Sequence, residues 1–170
     1  MDLNEAARNL AVLIAERQVR IVLAESCTAG LAAATLAQTP GISRWLCGSA
    51  VVYREQTKID WLDVSAADLE QHTAVSDPVA RAMAAGVLNR TAEAAWSAAV
   101  TGHLGPDAPE GFDGVIFLAV ARREAADVVV QAVWRHQLGS RGRQARQEEA
   151  AALLLERLSK AIRGEQQLAY

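Results

Sequence analysis

Cysteine is scarce in this chain, with two residues in 170. Cys27 and Cys47 have no CxxC partner and no zinc-like His/Cys cluster around them, so no disulfide framework or metal site is expected, only two reduced thiols. No apolar stretch approaches the length of a membrane span. The opening Met1-Asp2-Leu3-Asn4-Glu5 is acidic where a signal peptide is basic and then apolar. These absences give a soluble, cytoplasmic chain as the expectation. Basic excess is missing too. Seventeen Lys and Arg against twenty Asp and Glu leave a net charge of −3, so nucleic acid is not an expected partner. Aromatics make up 5% of the residues, and Trp45, Trp61, Trp96 and Trp134 are too scattered to form a base-stacking platform. What the chain has is apolar residues, 51% of the total, enough for one unstapled domain over 1–170.

Apolar spacing predicts an amphipathic helix over 3–17, from Leu3, Ala6, Ala7, Leu10, Leu13 and Ile14. The β-branched run 19–24 reads as a strand. Ser26 or Thr28 can cap a helix over about 28–38, which Thr39-Pro40-Gly41 ends. A second strand is expected over 46–53, followed by a polar stretch holding Lys58. A short helix is expected over 66–71. Ser76-Asp77-Pro78 opens another, with Ser76 as its cap. Residues 95–100 read as a strand that runs into a Gly- and Pro-rich loop ending near Gly114. Strands over 115–121 and 128–134 form a hairpin around Arg123-Glu124, and a long helix covers 142–163. Alternating helices and strands, then two strands together, predict a three-layer α/β/α domain with a mixed central sheet.

Four places can carry chemistry. The first is Glu25-Ser26-Cys27-Thr28-Ala29-Gly30, a small, polar strand-to-helix turn. Ligands of open α/β sheets sit at the carboxyl ends of strands, and free N–H groups at a helix start suit an anion; the plain alternative is a helix cap. The second is Tyr53 with Lys58. A lysine of lowered pKa can take a serine's proton, and a tyrosine can relay it or orient the lysine; the plain alternative is a solvated lysine. The third is Thr101-Gly102-His103-Leu104-Gly105-Pro106, where two glycines admit a ligand and Thr101 offers a hydroxyl. It is otherwise an ordinary turn, and His103 shows no partner. The fourth is Arg141, Arg143 and Arg146 at a helix start, where the dipole disfavours cations unless an anion binds; Glu148 and Glu149 are alternative partners. Cys27 is a rival nucleophile, since a helix N-terminus lowers a thiol pKa. His72, just ahead of a helix, is open to a subunit contact or to a site.

Taken together and in order, from about Leu10 to about Leu158, these pieces resemble the CinA C-terminal domain family. The pattern Ala-Glu-Ser-Cys-Thr-Gly-Gly stands as Ala24-Glu25-Ser26-Cys27-Thr28-Ala29-Gly30, and Pro-Gly-Ser-Ser as Pro40-Gly41-Ile42-Ser43. Tyr53 and Lys58 keep their family spacing. His-Gly-Ala-Val-Ser stands as His72-Thr73-Ala74-Val75-Ser76. A hydroxyl residue followed by Gly-x-x-Gly-Pro stands as Thr101 to Pro106, and Gly-Asp-Arg as Gly139-Ser140-Arg141. Stand-alone members include amidases that hydrolyse nicotinamide mononucleotide to nicotinate mononucleotide and ammonia. The resemblance implies Ser26 as nucleophile, Lys58 as base with Tyr53 nearby, and Cys27, Thr28, Ala29, Gly30, Thr101, Gly102 and Gly105 around the nucleotide. Arg141 would meet the phosphate, or Arg146, which adjoins the position (Ala145) of a second family arginine. It implies no cofactor. This chain departs from the pattern at Ala29, at Ser140, and in a shorter, more acidic 107–113 loop. A non-catalytic nucleotide-binding paralogue and a partner-binding module are the alternatives on the same fold. A homodimer is the expected assembly.

Overall fold

The computed structural model describes residues 2–165. Met1, with which the opening read above begins, and residues 166–170 of the expected 1–170 domain lie outside that range. Six α-helices and five strands are described, in the order α1 (Leu3–Arg17), β1 (Ile21–Glu25), α2 (Leu31–Leu36), β2 (Leu46–Val51), α3 (Glu55–Leu62), α4 (Ala66–His72), α5 (Asp77–Asn89), β3 (Trp96–Gly102), β4 (Val115–Glu124), β5 (Asp127–Gln137) and α6 (Arg143–Arg163). The strands form one sheet in the order β2-β1-β3-β4-β5. β1 runs parallel to both its neighbours, and β3–β4 and β4–β5 are antiparallel. This is the mixed sheet of a three-layer α/β/α domain.

Alternation along the strands builds two cores. Ile21 and Leu23 of β1, with Ala98, Val100, Ile116 and Leu118, face α1, α2 and α6. Val22, Ala24, Ala99 and Ala119 face the layer of α3, α4 and α5. Each fully buried Leu or Ile in these layers contributes about 1.5–3 kcal/mol. β1 is buried along its whole length, as the central parallel strand of such a sheet should be. Its carboxyl end lies between those of β2 and β3, which is where ligands of this architecture sit.

Three expectations are corrected. Residues 55–62, read as a polar stretch, are helical. Of their side chains only Lys58 and Leu62 are buried, so no apolar stripe announces the helix. The helix expected over 28–38 is the shorter α2. It is entered through Gly30 in a left-handed conformation with no side-chain cap. The hairpin turns at Ala125-Ala126, with Ala125 at φ 55°, two residues beyond Arg123-Glu124. Gly86 sets the position of α3, because a Cβ there would come within 2.1 Å of the Leu62 carbonyl oxygen. That absent atom lets α5 seat the end of α3 against the sheet.

Candidate active site

Lys58 is 1% exposed although it carries an ammonium. Its Nζ lies 2.9 Å from Ser26 Oγ and donates to the Val52 carbonyl at 2.8 Å. Burial lowers the Lys58 pKa to about 8, since a low-dielectric site disfavours the charged form. Val52 follows β2, and its N–H donates to the Glu25 carbonyl. The end of β1, the end of β2 and the middle of α3 therefore hold one hydroxyl against one amine.

The turn carrying Ser26 is braced from inside by Glu25, a fully buried carboxylate. Oε2 accepts the Thr28 hydroxyl (2.8 Å) and the Ala32 N–H (3.1 Å). Oε1 accepts the Ala33 N–H (3.0 Å) and the Ser49 hydroxyl (3.0 Å). Four donors satisfy the buried charge, as burial demands. The anion at the start of α2 is thus the chain's own, and Thr28 serves Glu25 rather than capping the helix. The N–H groups of Cys27 and Thr28 donate to no backbone carbonyl among the described residues. From α6, Gln147 Nε2 donates to the Thr28 (3.1 Å) and Cys27 (3.3 Å) carbonyls.

The Cys27 thiol is corrected in sign. Burial pushes its pKa up to about 12, outweighing the helix start that was expected to lower it. Ala29 sits at φ 53° and Gly30 at φ 93°, so Ala29 keeps a left-handed backbone that glycine adopts without strain. Thr73 does the same at φ 64°, ψ 166°, a region nearly confined to glycine.

Ser26, Tyr53, Lys58, Thr101 and Gly102 line one open cleft of about 870 Å³, together with His103. Cys27, Thr28, Ala29, Gly30, Gly105, Arg141 and Arg146 are not among its lining residues. Thr101 Oγ1 donates to the Ala74 carbonyl at 2.7 Å, tying β3 to the 73–76 wall. Burial lowers the His103 pKa, and its ring stands edge-on to Phe112. Ser76 sits at the cap position of α5, but its hydroxyl donates back to the Thr73 carbonyl.

The arginines divide. Arg146 forms a two-pronged pair with Asp113, at 2.7 and 2.8 Å, and the guanidinium holds the Asp113 carboxyl below the usual range. The acidic loop is thereby matched by Arg146. The expected glutamates are engaged elsewhere: Glu149 takes the N–H groups of Gly139 and Ser140, and Glu148 that of the Gln144 side chain. Arg141 is exposed. Arg143 reaches Tyr53 and Gly105. Sequence reasoning missed the bracing by Glu25 and Gln147. A carboxylate ending an apolar strand, with a hydroxyl three residues on, was the available signal for Glu25; Gln147 offered none.

The family model of the CinA C-terminal domain matches residues 3–162. A CinA-like protein of Anaeromyxobacter dehalogenans (strain 2CP-C) is 42% identical over 148 residues, 86% of this chain and 35% of that protein. Among solved structures, competence damage-inducible protein A from Klebsiella pneumoniae subsp. pneumoniae MGH 78578 superposes with a TM-score of 0.87 at 26% identity, covering 98% of this chain and 100% of that one. Competence/damage inducible protein CihA from Agrobacterium tumefaciens gives 0.85 at 30% identity, covering 96% of each. The chain spans about a third of the length of the curated relatives it matches. On the family match and this likeness along nearly its whole length, the chain belongs to the CinA C-terminal domain family.

Proposed function

We propose that the protein is an amidase that hydrolyses nicotinamide mononucleotide to nicotinate mononucleotide and ammonia, with Ser26 as nucleophile and Lys58 as base. The observation that carries this reading is the buried Lys58 amine, 2.9 Å from the Ser26 hydroxyl and with its pKa lowered to about 8. A serine needs such a neighbour to become nucleophilic, and a base titrating near neutrality meets the need.

In its neutral form Lys58 gives one N–H to the Val52 carbonyl and turns its lone pair to Ser26. The Ser26 proton moves to Nζ as Oγ bonds to the carboxamide carbon, and the carbonyl oxygen takes the negative charge. The backbone N–H beside Ser26, that of Cys27, which no backbone carbonyl among the described residues accepts, receives that oxyanion, such a donor being worth about 3 kcal/mol. The C–N bond then breaks, and the Lys58 proton leaves with the nitrogen as ammonia. Water attacks the acyl-enzyme, gives a proton back through Lys58 and restores the Ser26 hydroxyl. Tyr53 assists at the cleft, the 101–105 turn borders the nucleotide, and Arg141 meets the phosphate. The working assembly is a homodimer in the cytoplasm; the exposed apolar side chains Val12, Trp61 and Val129 favour self-association.

The test is ammonia release from nicotinamide mononucleotide by the purified protein, with Ser26→Ala as control. Release by the wild type alone is the expected result. A folded wild type that binds the nucleotide without turnover would instead make it a binding paralogue, and release undiminished in Ser26→Ala would exclude this nucleophile.

A further inference from the structure

Arg143 opens α6 and is exposed, an ordinary place for a solvated arginine. Both prongs of its guanidinium are nevertheless engaged. Nη1 donates to the Gly105 carbonyl at 2.7 Å, and Nη2 donates to Tyr53 Oη at 2.6 Å. The acceptors belong to different parts of the fold. Tyr53 follows β2, and Gly105 lies in the turn that follows β3. One rigid, planar group from a third element therefore spans both, which a lysine's point charge could not reproduce. Tyr53 is 52% exposed, so little packing restrains its ring, and this bond is what restrains the hydroxyl.

The direction of that bond has a chemical consequence. A guanidinium carries five donors and no acceptor, so the phenolic oxygen accepts. Its single hydrogen is then left to donate elsewhere, and Tyr53 lines the cleft that also holds Ser26 and Lys58. The neighbouring arginine has no such reach, since Asp113 holds Arg146.

We propose that Arg143 is a positioning residue that makes Tyr53 a fixed hydrogen-bond donor into the Ser26–Lys58 cleft, aimed at an acceptor atom of the acyl group under attack. The amidase reading supplies the natural substrate; the role itself extends to any acyl group that Ser26 attacks.

A double-mutant cycle read on two substrates tests it. Nicotinamide mononucleotide reports the proposed reaction through ammonia. p-Nitrophenyl acetate reports acylation of Ser26 without nucleotide recognition. Arg143→Met is expected to lower kcat about tenfold through misplacement, with KM within about twofold and an unchanged melting temperature. Tyr53→Phe should lower kcat about a hundredfold as a lost donor. The double variant should be no slower than Tyr53→Phe alone, because Arg143 acts through Tyr53. Arg143→Lys should stay low. Multiplying losses, about a thousandfold in the double variant, would overturn the proposal, as would full rate in Arg143→Met or rescue by Arg143→Lys. If the wild type releases no ammonia but is acylated, the amidase reading fails and the cycle is decided on the ester. A wild type without Ser26-dependent acylation would overturn the Arg143 role as well.

Discussion

Ser26 and Lys58, thirty-two positions apart in the chain, meet at 2.9 Å with the lysine sealed from solvent. The contact joins a hydroxyl to an amine that burial makes reluctant to hold its proton, and several measurable consequences follow from that reluctance.

The first is the pH dependence of turnover. Lys58 acts as a base only when neutral, and its pKa is lowered to about 8. For the proposed amidase, log kcat/KM should rise with a slope of about one up to pH about 8 and level off above it. A profile that levels off near pH 6 would remove Lys58 as the titrating base.

Stability should carry the same signature. Lys58 is depressed from 10.5 to about 8 by folding. Below pH 8 the amine is charged in both states, and the fold bears the full cost of burying it. Between about pH 8 and 10.5 the unfolded chain binds more protons, so stability rises with pH, by about 3 kcal/mol in total. Denaturant melts across this range should show the rise in the wild type and its absence in Lys58→Met. Parallel curves would mean that the lysine is solvated.

Cys27 is expected to be a bystander to chemistry. Its thiol, raised to about 12 by burial, is protonated at pH 8, and the thiolate is the reactive form. Cys27→Ala should keep kcat within about threefold and cost about 1 kcal/mol of stability for the small void. Rapid alkylation of Cys27 in the folded protein, followed by peptide mass spectrometry, would contradict this.

Glu25 should matter although it does not line the cleft. Its two oxygens accept four donors, and an amide would turn an NH₂ toward two of them. Glu25→Gln is expected to cost about 2–3 kcal/mol in denaturant melts and to slow acylation of Ser26. An unperturbed melt would show that the turn does not depend on the charge.

Thr73 predicts a gain. Its side chain is exposed and its backbone lies in a glycine region, where a β-branched residue is held under strain. Strain relief should exceed the added flexibility of the unfolded chain, so Thr73→Gly should raise stability by about 1 kcal/mol. A loss in thermal melts would show that Thr73 makes a compensating contact.

The fold was legible because its strands alternate or are wholly apolar and its long helices keep their stripes. The Ser26 turn was legible because small polar residues end a buried strand. Lys58 was legible as a candidate base past a strand end, and the family spacing to Tyr53 sharpened it, but its burial was not. Its helix hid because the side chain turned inward is a lysine, which breaks the apolar spacing that marks a helix. Arg143 and Tyr53 lie ninety positions apart, and nothing local in either segment announces the pairing. The acidity of the 107–113 loop was legible but its partner was not, because Asp113 pairs with Arg146 across thirty-three positions.

The commitment of the α2 amides to Glu25 sets up two electrostatic regimes around the cleft. The proposed reacting pair and its bracing carboxylate are buried, so dissolved ions screen their contacts only weakly. In the proposed amidase, by contrast, the phosphate of the ligand would be held by exposed guanidinium groups such as Arg141, whose attraction mobile counterions weaken. Ionic strength should therefore separate capture from chemistry, so that in concentrated salt the proposed amidase should bind its nucleotide poorly and convert what it has bound at an undiminished pace.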